Sequence, residues 1–174
     1  MAIDEAVRYA SAIGAANVHV MAGNAQGAEA EAVFLRNLRY ACGVAGAEGV
    51  TILIEPLNPH DAPGYFLRTT GQAEALIKAV AVKNLKLMFD CYHVGRTEGD
   101  VTTRLARLLP IIGHIQFAAV PDRGPPDHGE LNYSFVFEEI SRLGYQAPLG
   151  AEYKPAGEPE DGLGWMGRLW KAAR

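Results

Sequence analysis

Two cysteines in 174 residues, with no C-x-x-C pair, leave little material for a disulfide framework or a thiolate metal site. No apolar run approaches the ~20 residues that span a bilayer, and the first residues lack the basic-then-apolar order of a signal peptide. Lys/Arg runs are missing too, and the formal net charge is -4, so neither nucleic acid nor a membrane is an expected partner. A soluble, cytoplasmic chain is the expectation. With 49% hydrophobic residues it can fill a sizeable core, and a single domain over 1–174 is the expected organisation.

The stretch VTILIEPL at 50–57 reads as a buried strand, yet it carries Glu55 near its C-terminal end. A carboxylate there costs several kcal/mol unless it is paired, protonated or bound to a cation. A glutamate just past the strand, solvated in a loop, is the alternative. Around this stretch the pattern alternates. A helix over 1–13 stops at Gly14, a short strand covers 18–22, and an Ala-rich helix covers 29–46. A helix opening at Thr69, with Gln72 placed for a capping box, precedes a strand at 85–90. Then come a helix at 102–109, a strand at 113–118, a polar loop at 121–131, and a helix at 133–143 capped by Asn132. A strand at 149–153 and a helix from about 163 close the pattern. Five strands alternating with helices predict an α/β fold with a parallel sheet, doubly wound or part of a (β/α) barrel.

Glu55, Asp90, Gln116 and Glu152 each follow an apolar run, 26 to 36 residues apart, about one βα unit each time. Parallel-sheet proteins carry their chemistry at the carboxyl ends of strands, so the spacing delivers four polar groups to one rim. Three carboxylates and an amide oxygen have no hydrophobic rationale. They suit a hard divalent cation, Mg²⁺ or Mn²⁺, better than zinc.

Four separated motifs, ILIEPLNPHDAPGYFL, FDCYHVGRTEGD, GHIQFAAVPDRGPPDHGELNY and EYKP, occur in order across 52–155, and VHVMAG precedes them. Together they resemble the hydroxypyruvate isomerase family of xylose-isomerase-like TIM barrels. The resemblance implies metal-dependent interconversion of hydroxypyruvate and tartronate semialdehyde, with Glu55 and Glu152 as the acid/base pair. It also implies a metal held by Glu55, Asp90, Gln116 and Glu152, Gln116 standing where related sugar epimerases have histidine. His93 is then placed to bond a substrate oxygen, and Arg123 and Lys154 become candidates for the substrate carboxylate. Solvated loop or rim positions are the alternatives for these three. His19 and His114 read as core or supporting groups, and Cys91 as packing. The chemistry agrees with the residues: two carboxylates flanking an α-hydroxy ketone can move a proton between neighbouring carbons.

The resemblance further implies an eight-stranded barrel of about 250 residues, whereas this chain opens in the helix before what would be the fourth strand. An incomplete TIM-barrel-like fold with the last five parallel strands and flanking helices is therefore expected. Its two sheet edges would be unpaired and its inner Leu, Met and Phe side chains partly wet, favouring self-association and weak or absent turnover. The alternatives are a related sugar epimerase or metal-dependent dehydratase, or a non-catalytic fragment or interaction module.

Overall fold

The computed structural model describes residues 2–155 and 157–169. Seven α-helices and five strands are found among them: α1 (Ala2–Ile13), β1 (Asn17–His19), α2 (Gly27–Ala47), β2 (Thr51–Ile54), α3 (Thr70–Val80), β3 (Leu85–Asp90), α4 (Cys91–Thr97), α5 (Val101–Leu108), β4 (Ile112–Phe117), α6 (Tyr133–Arg142), β5 (Leu149–Ala151) and α7 (Met166–Leu169). The strands follow chain order, β1-β2-β3-β4-β5, within one sheet, and β1/β2, β2/β3 and β4/β5 pair in parallel. None of the described helices is long and apolar enough to cross a membrane. Two compact units divide the chain, one running to residue 88 with 111–113 added, the other comprising 89–110 and the residues from 114 on.

In the first unit, apolar spacing turns α1 inward through Val7 and Ala10, and Gly14, at φ 72°, ends it. Helix α2 buries Phe34, Leu38, Ala41 and Ala45 over the sheet, and Asn84 ties its end to the strands by donating Nδ2 to Cys42 O at 2.8 Å. Half of the expected capping box forms at α3. Thr69 Oγ1 accepts from the Gln72 amide at 3.1 Å, while Gln72 Oε1 accepts from the Arg68 amide, one residue earlier than the reciprocal bond requires.

Leu53 and Met88, on the faces that carry Glu55 and Asp90, are 2% and 6% exposed, so the expectation of wet inner side chains fails at both. For Leu53 the reason is local. A side chain at Gly113 would meet Leu53 Cδ2 and Lys86 Cβ at 2.7 Å, so those two groups already fill that space.

The second unit is organised by aromatic rings. Phe117 meets Tyr133, Phe137 and Trp165 at centroid distances of 5.6, 4.9 and 5.6 Å. The Tyr133 hydroxyl donates to Ala118 O at 2.6 Å, which settles the polar atom of a buried ring. Helix α4 is an element that the alternation read in the sequence does not contain. Its seven residues are too few to show a period, and Asp90 caps it. The final helix expected from about 163 is instead a 3-10 turn over Pro159–Trp165 followed by the single α-turn α7, and the remainder lies outside the described residues.

The loop 121–131 depends on Gly129, where φ is 90° and an added Cβ would lie 2.2 Å from Val120 O. That carbonyl cannot retreat, because it accepts from the Glu130 amide at 2.8 Å. Gly129→Ala should cost roughly 2–4 kcal/mol, from backbone strain plus overpacking. Gly144→Ala, at φ 79° but with open space around it, should cost only about 1–2 kcal/mol. Chemical denaturation of both variants checks the difference, and equal losses would show that the carbonyl contact carries no weight.

Candidate active site

Glu55 follows the last residue of β2 and is 4% exposed, so the solvated-loop alternative does not apply. His19, the last residue of β1, brings Nε2 to 3.7 Å from Glu55 Oε2. Tyr65 lies on the same unit, 3% exposed, its hydroxyl accepting from the Ala22 amide at 2.7 Å. Burial pushes the Tyr65 phenol up and the negative charge of Glu55 pushes it further, while the Ala22 amide opposes both. Tyr65 was not singled out from the sequence. Its only signal was a polar-tipped ring inside the DAPGYF loop that follows the Glu55 strand.

In the second unit Asp90 ends β3, is 1% exposed, and divides its two oxygens between tasks. Oδ1 accepts from the Tyr92 amide at 2.8 Å and so caps α4, while Oδ2 is buried with no hydrogen-bond partner. His93 Nε2 stands 3.8 Å from that Oδ2, too far for a hydrogen bond. With 2% exposure His93 is a buried group of the first turn of α4, not a loop histidine. Burial drives the Asp90 carboxyl up to about 7, with Glu152 adding to the rise and the Tyr92 amide and Arg123 opposing it. Cys91 is fully buried and its thiol is pushed up by the same cause, which suits a packing role.

Gln116, one residue before the end of β4, presents a buried Oε1 that also lacks a hydrogen-bond partner. Gly150 on β5 admits it, since a side chain there would come within 3.1 Å of Gln116 Cγ and 2.8 Å of His114 Nε2. His114, half-buried, is held below the usual histidine range by desolvation. Glu152 lies just beyond β5 with its side chain 49% exposed, and Oε2 accepts from Arg123 Nη2 at 2.7 Å. Lys154 is exposed, and its amide donates to Arg123 O at 2.7 Å. In the second unit, then, His93 stands beside Asp90, the charges of Arg123 and Glu152 reach it, and two buried oxygens, Asp90 Oδ2 and Gln116 Oε1, lack hydrogen-bond partners. Such a donor set fits a hard cation: oxygen-rich, anionic and partly desolvated.

A parallel sheet in chain order with carboxylates at its strand ends defines an α/β protein of the barrel-enzyme class. The chain belongs to the xylose isomerase-like TIM barrel family, whose pattern it matches over residues 2–169. It is 48% identical over 168 residues to the 2-oxo-tetronate isomerase of Cupriavidus necator, covering 94% of this chain and 65% of that protein. Against the hydroxypyruvate isomerase of Escherichia coli (strain K12) it is 39% identical, covering 92% of this chain and 64% of that protein. The crystal structure of an AP endonuclease, family 2, from Brucella melitensis superposes with a TM-score of 0.91 at 38% identity, covering 95% of this chain and 66% of that one. A 3-keto-D-glucoside 4-epimerase from Escherichia coli, 21% identical with a TM-score of 0.81, shares the fold. The chain spans about two thirds of the length of the curated relatives it matches.

The state of Asp90 sets a pH dependence. Its folded carboxyl, at about 7, lies above the ordinary value of 3.8, so the metal-free folded state holds a proton that the unfolded chain releases. Stability from this group is therefore present at low pH and is lost as pH rises from about 4 through 7. Asp90→Asn keeps a capping acceptor and removes the titration. In chelator, its unfolding free energy should fall less than wild type across that window, as read by denaturant titration at each pH. Parallel profiles would show that Asp90 is not held protonated.

Proposed function

We propose that the chain carries the reaction centre of a divalent-metal-dependent isomerase of short 2-oxo-3-hydroxy acids, hydroxypyruvate first among them. The observation that carries this reading is the pair of buried, unpartnered oxygens, Asp90 Oδ2 and Gln116 Oε1, at the ends of β3 and β4. Buried polar atoms are normally satisfied, and two oxygens left so invite a cation. Glu55 and Glu152, at the ends of β2 and β5, complete the proposed ligand set on the strength of the strand-end spacing and the family motifs. Mg²⁺ or Mn²⁺ suits these donors.

In the proposed reaction one glutamate takes the proton from C3 of the substrate, and the electron pair moves into the C2 carbonyl to leave an enediolate. The other glutamate returns a proton to C2 while the C3 hydroxyl proton passes to the C2 oxygen, so the aldehyde appears at C3 and no atom is gained or lost. The bound cation would neutralise charge that develops on the two substrate oxygens. In the reverse direction the glutamates exchange duties, so they act as a pair. His93 is assigned to a substrate oxygen, and Arg123 and Lys154 supply positive charge for the substrate carboxylate. The 48% identity to a 2-oxo-tetronate isomerase favours a second substrate one carbon longer, in which the same carbonyl shift occurs.

The cation is tested by heat. Millimolar Mn²⁺ or Mg²⁺ should raise Tm by several degrees, and Asp90→Ala should abolish the shift. An unchanged shift in the variant removes Asp90 from the metal set. Proton transfer is tested by isotope: with hydroxypyruvate in D₂O, the chain should catalyse deuterium uptake at C3 even where net turnover is slow. Glu55→Gln and Glu152→Gln should each lower that exchange by about 10²-fold or more, because an amide can still offer an oxygen but cannot shuttle a proton. Retained exchange in either variant removes that glutamate from the pair.

A further inference from the structure

Arg123 has a φ of 58°, a left-handed conformation that is strained for a side chain with a Cβ. The backbone is held there on both sides, Arg123 N donating to Ala119 O at 2.9 Å and Arg123 O accepting from the Lys154 amide at 2.7 Å. A strained residue pinned twice marks a side chain whose direction matters. That direction leads to Glu152, through Nη2 to Oε2 at 2.7 Å and Nε to the backbone oxygen at 3.5 Å. The two side chains are 20% and 49% exposed, and ion pairs so placed contribute little because water screens them. Alone, the pair is too weak to keep a carboxylate in one orientation.

Tyr92 supplies what the ion pair lacks. Its ring is 1% exposed and lies under the guanidinium, with Arg123 Cζ 5.2 Å from the centroid. Such a stack attracts the cation to the ring face and, unlike a lone charge pair, fixes where the guanidinium lies. The ring cannot swing away. It is packed with Ala118 and Val120, and Leu131 and Tyr153 close around that cluster. Arg96 approaches the same ring, donating Nη1 to the Tyr92 hydroxyl at 3.5 Å and also to Pro121 O, so the platform and the loop leading to Arg123 are tied to one group.

We propose that Tyr92 is a positioning residue: it fixes the guanidinium of Arg123, which in turn holds the Glu152 carboxylate in the orientation proton transfer needs. The proposal rests on the reading of Glu152 as one of the acid/base pair, and adds to it the residue that keeps Glu152 in register. Misplacing a reacting group by about 1 Å costs on the order of 10²-fold in rate, so a platform two residues removed from the chemistry can govern turnover.

The test follows the Arg123 Nε–H proton by NMR of the 174-residue chain, assigned by its loss in Arg123→Lys. A guanidinium over a tyrosine face should show an upfield ring-current shift, and the ion pair should slow exchange with water. Tyr92→Phe should preserve both, and Tyr92→Leu should lose the shift and exchange about tenfold faster or more. In Glu152→Gln the shift should persist while exchange accelerates, because the ring and not the carboxylate sets the position. Disappearance of the shift in Glu152→Gln would overturn the proposal without requiring the leucine variant to fold, as would unchanged exchange in a folded Tyr92→Leu. With hydroxypyruvate in D₂O, Tyr92→Leu should lower kcat for exchange about tenfold or more at a KM within about twofold, and Tyr92→Phe should restore it. A clamp seen by NMR with no catalysis in any form upholds the geometry and counts against the isomerase reading. Loss of the clamp with catalysis intact overturns the proposal and leaves that reading standing.

Discussion

The hydrogen bond from the Tyr92 amide to Asp90 Oδ1 is the contact on which the second unit's polar groups depend. It starts α4 and fixes the carboxylate rotamer, so that Oδ2 is turned away from the helix and left without a hydrogen bond. It also sets the first turn of α4, which delivers Tyr92 and His93 as buried side chains. One cap therefore decides the orientation of an acid, a histidine and an aromatic ring. Such an arrangement is costly unless something answers the unpaired oxygen, and a proton on the acid and a bound cation are two such answers.

The first unit treats its acid differently. Glu55 is buried too, 4% exposed against 1% for Asp90, and each acid has a histidine nitrogen within 4 Å, but Glu55 caps no helix and has a tyrosine close enough to sense its charge. Aspartate and glutamate at equivalent strand ends thus meet unlike surroundings, one shaped by a helix cap and the other by side chains from β1 and the loop after β2. Different surroundings are what separate the tasks of two groups with the same chemistry.

The second unit also shows how loops acquire precision. The segment after β4 takes one fixed path, with Gly129 under the Val120 carbonyl and Arg123 pinned to Ala119 and Lys154. His128 adds an exposed tie to Asp122 at 2.8 Å and to Asp127 at 3.4 Å, and Asp127 pairs with Arg168 of α7. The exposed pairs contribute little individually. Backbone contacts and aromatic packing carry the weight, and they place Arg123 within reach of Glu152.

From the sequence alone one could read the α/β alternation, the strand ends and the residues Glu55, Asp90, Gln116 and Glu152, because short apolar runs and a polar residue at the end of each are local signals. The Thr69 and Asn132 caps were legible for the same reason, an oxygen-bearing side chain three residues before the amide it accepts from. The seven-residue α4 was not, since it is shorter than two helical turns and its start is a residue already counted as a strand end. Nor could the sequence say that Leu53 and Met88 are dry, that Tyr65 stands near Glu55, or that Arg123 is already engaged by Glu152 and Tyr92. Those facts join residues 10 to 60 positions apart, or depend on where a backbone carbonyl and a ring are placed in space. A sequence determines which groups stand at the ends of strands; only the packed chain decides which of them are paired, which are buried, and which way each one points.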